Sequence, residues 1–190
     1  MIGFLRATWK TEDEQTLLRH KNLTIRNATT ADAPQLEAWW NDGKVMAHAG
    51  LPFGSGERAE EIAARIAKDT DEDRRLILEL DGRAIGEMRC LRAAEGTAEL
   101  GIKICDLSLH DQGLGKQYLS MLICALFEDS GYQKIVLDTN LKNLRAQHVY
   151  ERLGFRRVRV NRDVWTDQLG EPQTFVDYEL IPQNFVNFAK

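Results

Sequence analysis

The sequence has no run approaching the roughly 20 apolar residues that a membrane-spanning helix needs, so no segment of it reads as a membrane span. It has no basic excess either. Lys and Arg total 25 against 29 Asp and Glu, a net charge of −4, which argues against nucleic acid, because such binders carry a concentrated basic face. The one basic cluster, Arg152 to Arg162, alternates Arg157 and Arg159 with Val158 and Val160, as the wet face of a strand does. Cysteine is scarce and odd in number: Cys90, Cys105 and Cys124 lie in apolar segments and read as reduced core thiols rather than a disulfide framework. Four prolines in 190 residues, with 43% hydrophobic and 28% charged side chains, fit one sizeable core and leave no case for disorder. The start lacks the shape of a signal peptide, since Arg6 and Lys10 interrupt its apolar residues and Thr11 to Glu14 is acidic. The expectation is a cytosolic domain over residues 21–190, with residues 1–20 an extension forming a short helix or an arm. The histidines (His20, His48, His110 and His148) show no ligand spacing, so no metal is expected.

What is present is punctuation between two kinds of periodicity. Leu23 to Asn27 alternates as a strand. Thr29 to Asp32 has capping-box spacing, Pro34 suits a first helical turn, and that helix stops at Asn41-Asp-Gly43. Ser55 is placed to cap a second helix carrying Ile62, Ala63, Ile66 and Ala67 on one face. Arg75 to Leu80 meets Arg83 to Leu91 across Asp81-Gly82, a strong hairpin signal, and Glu95-Gly96 leads into a third strand, Thr97 to Ile104. Apolar residues then recur at Leu114, Tyr118, Leu122, Ala125 and Leu126, the spacing of a helix lying on a sheet. Ile135 to Leu137 reads as a buried strand, and Asn143 to Leu153 as a helix stopped by Gly154. Phe155–Val160 and Thr174–Ile181 read as a last hairpin with a long polar loop around Trp165 to Pro172.

The chemistry is expected where the third strand ends. The stretch His110-Asp-Gln-Gly-Leu-Gly-Lys116 joins a strand to a long helix. Glycines let the backbone approach a ligand, and the free N–H groups of a helix start favour an anion, so the arrangement suits phosphate. Tight packing is the bland alternative. A dinucleotide fingerprint would need glycine at Tyr118, and a Walker A loop would need Gly-Lys-Ser/Thr four residues after Gly113; neither is present.

The loop resembles the central motif of the GNAT superfamily of N-acetyltransferases, Gln/Arg-x-x-Gly-x-Gly/Ala, with His110 where Gln or Arg is usual. Asn143-Leu-Arg-Ala-Gln-His-Val-Tyr150-Glu-Arg-Leu-Gly-Phe155 is similar to the family's second motif, Asn-x-x-Ala-x-x-x-Tyr-x-x-x-Gly-Phe. The resemblance covers residues 22–181. It implies an α/β (α+β) GNAT fold, a mixed and mostly antiparallel sheet flanked by helices in the order β-α-α-β-β-β-α-β-α-β-β.

By that resemblance the protein is an acyltransferase moving an acetyl group from acetyl-CoA to a primary amine in a ternary complex, with no metal. Gln112, Gly113, Leu114, Gly115 and Lys116, with His110, would hold the coenzyme A pyrophosphate. Ile104 and Cys105 would offer backbone groups to pantetheine and the thioester, and Asn143 would approach the cofactor arm or simply cap its helix. Tyr150 would protonate the departing thiolate. Glu99 is the first candidate for general base and Asp106 the second, with Glu87 one strand away. Trp39, Trp40, His48 and Phe53 fall where the acceptor pocket usually forms. The segments around the two motifs are somewhat like aminoglycoside 6′-N-acetyltransferases and acetyltransferases of ribosomal-protein N-termini. Homodimerisation follows by family analogy. The rival readings are a non-catalytic acyl-CoA sensor or interaction module, and a nucleotide-binding domain.

Overall fold

The computed structural model describes residues 16–189. The expected extension therefore lies outside the described residues over 1–15, while Thr16–His20 forms a strand, β1, rather than helix or arm. It pairs antiparallel with β2, Leu23–Asn27, across a turn in which Lys21 takes φ 54°.

Short helices follow: α1 (Ala33–Trp40), a single turn α2 (Gly43–Met46) and α3 (Ala59–Ile66). The Asp32 carboxylate accepts from the Thr29 N–H at 2.8 Å, as the capping-box spacing implies. Ser55 does not cap α3. Its hydroxyl accepts from the Glu57 N–H, and the helix start is closed by Glu61, whose carboxylate accepts from the Arg58 N–H at 3.0 Å. Three antiparallel strands come next, β3 (Asp73–Leu80), β4 (Arg83–Ala94) and β5 (Thr97–Ile104). Both residues of the first turn have positive φ, 51° at Asp81 and 76° at Gly82, the conformation a two-residue hairpin requires. Then come α4 (Leu114–Glu128), β6 (Lys134–Asn140), α5 (Leu144–Leu153), β7 (Arg156–Thr166) and β8 (Pro172–Leu180). β7 runs to Thr166, so Trp165 is a strand residue paired with Gln173 and the connecting loop is short.

The eight strands lie in the order β1-β2-β3-β4-β5-β6-β8-β7, antiparallel throughout except for β5 beside β6. Strand alternation divides the core between the two faces. Leu76, Leu78, Met88, Ala98, Leu100, Ile135 and Leu137 pack with the buried side of α4 (Tyr118, Leu119, Leu122, Ile123 and Leu126). Ile77 packs in a second cluster with Leu36, Trp40, Ile62 and Ile66. Each fully buried aliphatic side chain contributes roughly 1.5–3 kcal/mol relative to exposure. Tyr118, the residue that breaks the dinucleotide pattern, is fully buried and donates its hydroxyl to the Glu79 carbonyl at 2.6 Å, tying α4 to β3. Gly154 ends α5 at φ 95°, and a Cβ there would fall 1.9 Å from the Asn184 carbonyl oxygen, so both conformation and space require glycine.

The parallel ladder decides where a site can form. β5 and β6 share three register pairs, Thr97 with Lys134, Ala98 with Ile135 and Glu99 with Val136. Beyond them β5 stays paired to β4 as far as Ile104, and β6 to β8 as far as Asn140. Each strand is held on its outer side, and a wedge opens between them. Among the described residues no helix is long and apolar enough to cross a membrane.

Candidate active site

The wedge widens into a cleft of about 630 Å3. Ile102 and Ile104 form one lip, Asp138 and Asn140 the other. Gly113, Gly115 and Lys116 line one end, and Tyr150 reaches the cleft from α5.

The glycine loop meets the cleft with its backbone. Asp111 and Gly113 take φ 61° and 77°, and Gly113 is the N-cap of α4, so the first-turn N–H groups have no intrahelical acceptor. A Cβ added to Gly115 would meet no atom within 4 Å, which leaves open space above those donors. Leu114 lines the cleft and also packs into the core, whereas Gln112 lies outside it and donates to the Ser108 carbonyl at 3.1 Å. Lys116 rests its ammonium 4.6 Å from the Phe188 ring centre. Asn143 caps α5, its side-chain oxygen accepting from the Ala146 N–H at 3.2 Å, and it also lines the cleft.

His110 has two partners. Its Nε2 lies 2.8 Å from the Ile104 carbonyl oxygen and its Nδ1 lies 2.6 Å from an Arg145 guanidinium nitrogen. Arginine only donates, so Nδ1 accepts and Nε2–H donates. The imidazole thus ties the end of β5 to the start of α5. Cys105, expected to offer its backbone, is turned away: its N–H donates to the Ile85 carbonyl at 2.8 Å. Because successive peptide groups of a strand alternate in direction, those of Ile102 and Ile104 face the wedge. The Cys105 thiol is buried and does not line the cleft, and burial pushes its pKa well up, leaving it inert.

The carboxylates fall into three situations. Asp106 is outside the cleft, bonded by the Ser108 hydroxyl at 2.6 Å and by Arg83 at 2.8 Å, and these partners hold its carboxyl below the usual range. Glu87 is 2% exposed. Burial alone would raise its pKa, but Lys103 at 3.1 Å, Arg75 and the Trp40 indole N–H at 2.8 Å outweigh that and hold it below the usual range. Neither is free to take a proton from a substrate. Glu99 and Asp138 line the cleft itself. Asp138 keeps part of its surface open to solvent, but the protein packed around its carboxyl raises it above the usual range, and the neighbouring carboxylates of Glu99 and Asp177 raise it further. Asp138 also adds to the upward shift of Tyr150, which is 5% exposed and driven up chiefly by burial. Tyr150 therefore keeps its proton at neutral pH, and its hydroxyl makes no hydrogen bond to another described residue.

Of the four residues expected around an acceptor, the structure brings one to the cleft. His48 lines it, its pKa lowered by burial and by the positive charge of the nearby Arg145. Trp40 is buried beneath Arg75 and Arg65 with its N–H on Glu87, and Trp39 packs beside the second cluster. Phe53 is 69% exposed, and its loop is held by Gln168, which accepts from the Phe53 N–H and donates to the Gly54 carbonyl, each at 2.8 Å. Sequence reasoning missed Asp138 and Arg145. Asp138 sits just past the apolar run read as a strand, and Arg145 lies inside the second motif without being one of its matched residues.

Comparison with known proteins agrees with this geometry. The sequence model of the family described as acetyltransferase (GNAT) domain matches residues 22–156. A search of curated proteins found no match. Among solved structures, a spermidine N-acetyltransferase from Vibrio cholerae, in complex with CoA and spermine, superposes with a TM-score of 0.74 at 20% identity, covering 87% of this chain and 99% of that one. RimL, a ribosomal L7/L12 α-N-protein acetyltransferase in complex with coenzyme A, gives 0.75 at 15% identity over 88% and 98%. An N-acetyltransferase from Staphylococcus aureus Mu50 gives 0.70 at 21% identity over 85% and 99%. These likenesses establish a shared fold, and the family match extends over most of the chain. With the glycine loop, the parted strands and that match in agreement, the chain belongs to the GNAT family and is an acyltransferase.

Proposed function

We propose that the protein moves an acetyl group from acetyl-CoA to a primary amine by direct attack in a ternary complex. The observation that carries this reading is the wedge between β5 and β6, which joins the open N–H groups of α4 to Tyr150 and Asp138 in one cleft. Coenzyme A would supply the activated acyl group as a thioester. The backbone of Gly113 to Lys116 suits its pyrophosphate, and the Ile102 peptide groups with the Ile104 N–H, whose own carbonyl already accepts from His110, suit an extended, amide-bearing arm. Asn143, already a helix cap, borders the same path.

The acceptor must arrive as, or become, a neutral amine before it can attack. Asp138, held above the usual carboxylate range, suits the task of accepting that proton, with Glu99 adding negative charge that draws an ammonium group to the cleft. Tyr150 keeps its proton and can pass it from Oη to the departing sulfur. The spermine of one structural neighbour and the protein substrate of another are both amines, and the carboxylates at this cleft fit that class.

The test is calorimetric titration with acetyl-CoA and coenzyme A, with ATP and NAD as controls, followed by thiol release with a panel of amines. Coenzyme binding with thiol release is the expected result. Failure to bind either coenzyme would overturn the reading, and binding without release from any amine would leave a sensor in its place. Asp138→Asn should lower kcat about a hundredfold with acetyl-CoA affinity retained. In the parent enzyme the rate should climb with pH as Asp138 loses its proton, above the ~3.9 of an ordinary aspartate; the variant should lack that limb. An unchanged pH–rate profile in the variant would assign the proton to another group.

A further inference from the structure

The loop and α4 supply backbone donors for an anion, yet the ammonium on that helix, Lys116, is drawn toward the Phe188 ring. A different cation stands at the cleft. Arg145 lines it from the first turn of α5 and has no carboxylate partner among the described residues. Its neighbour there is His110, whose ring is fixed at both ends, by the Ile104 carbonyl through Nε2 and by the guanidinium through Nδ1. A bond to a neutral imidazole uses one of five guanidinium N–H groups and cancels none of its charge. The positive charge is felt nearby, since Arg145 contributes to the lowered pKa of His48. A guanidinium with several free donors, held beside an open helix N-terminus, matches a phosphate in charge and in planar, two-point geometry.

We infer that Arg145 is the side-chain cation of the phosphate site, reaching it from α5, and that His110 is the positioning residue that aims it. This rests on the acyl-CoA reading above and names a contact that the glycine loop does not supply. The ligand chemistry is a phosphate of coenzyme A, either the pyrophosphate or the 3′-phosphate. His110 acts by holding the guanidinium, and its own ring faces protein on both nitrogens.

The experiment is calorimetry on the full chain with coenzyme A and 3′-dephospho-coenzyme A, over a series of salt concentrations, for wild type, Arg145→Ala, His110→Ala and the double variant. Arg145 is exposed, so its loss should leave the fold intact, which circular dichroism of the free protein checks. Arg145→Ala should weaken coenzyme A about ten- to a hundredfold, as loss of a charged hydrogen bond does, and should flatten the salt dependence. Equal loss with both ligands assigns the contact to the pyrophosphate; loss with coenzyme A alone assigns it to the 3′-phosphate. His110→Ala should weaken binding less, and should add nothing once Arg145 is gone. Unchanged affinity and salt dependence in Arg145→Ala overturns the inference. A His110 effect of the same size with and without Arg145 overturns the positioning role. Failure of wild type to bind either ligand overturns the acyl-CoA reading, and this inference with it.

Discussion

Tyr150→Phe should cut turnover by about a hundredfold or more while acetyl-CoA binds as tightly as before. The substitution removes one oxygen from a side chain that is 5% exposed and in edge contact with the Tyr178 ring and tilted contact with Phe155. Those ring contacts survive in phenylalanine, so the fold should hold. What disappears is the proton. Burial, with the negative charge of Asp138 beyond it, keeps that proton on the phenol at neutral pH, where it is available for transfer to a leaving thiolate. Kinetics with a slow amine, read as separate kcat and KM values, would check this. Turnover equal to wild type would make Tyr150 a packing residue and move the acid to solvent.

The largest expected loss of stability comes from Glu87→Gln. Glu87 joins α1, through the Trp40 indole, to β3 through Arg75 and to β5 through Lys103. Glutamine can keep the bond from the indole but leaves the two cations facing each other with no negative charge between them. Removing one partner of a buried ion cluster costs about 3–5 kcal/mol, which for a chain of this size lowers the melting midpoint by roughly 10 °C. The pH dependence has a definite sign. A carboxyl whose folded pKa lies below its unfolded value stabilises the protein above about pH 4.3, and that contribution is lost as pH falls through the folded value. Wild type should therefore lose stability on acidification in a window below pH ~4.3 where the variant, already destabilised, shows a weaker dependence. Thermal melts of both proteins across that window measure it. Equal melting midpoints at neutral pH would mean that Glu87 does not tie these elements together.

Most elements were legible because their signals are local. Asp81-Gly82, Gly113 and Gly154 are needed by backbone conformation alone, and each sits where the sequence puts a turn or a helix end. The helix carrying Tyr118, Leu122 and Leu126 shows its buried face through spacing, and the glycine loop before it is a contiguous string. What stayed hidden depends on partners far away in the chain. β1 is five residues long and is a strand because β2 pairs with it. β7 is exposed along most of its length and pairs irregularly with β8, so it has no sustained alternation to read beyond Val160.

The site divides in the same way. Its motif residues could be found by spacing, whereas its electrostatics could not. Asp138 becomes a candidate base only when β6 sets it near Glu99 and Asp177. His110 and Arg145 are 35 residues apart, and no local rule connects them. Trp39 and Trp40 are neighbours in sequence, the first partly buried at the edge of the second cluster and the second inside it. Trp40 shares a helix face with Leu36, four residues earlier, and that spacing was a usable signal that it belongs to the core rather than to a ligand.

The short ladder between β5 and β6 has a mechanical side as well. Five strands lie to one side of it and three to the other, and the backbone coupling of the two plates is three register pairs with the Gln133 and Lys134 N–H groups donating to the Gly96 carbonyl. The other ladders of the sheet are all longer than this one. At this seam the bonding is narrow, backed by the packing of α4 against α5. The backbone of the sheet is therefore least continuous beyond Glu99, where the wedge opens, and the core under α4 carries the connection there. Anything that bonds to both lips at once acts as a rivet, and it turns two plates into one.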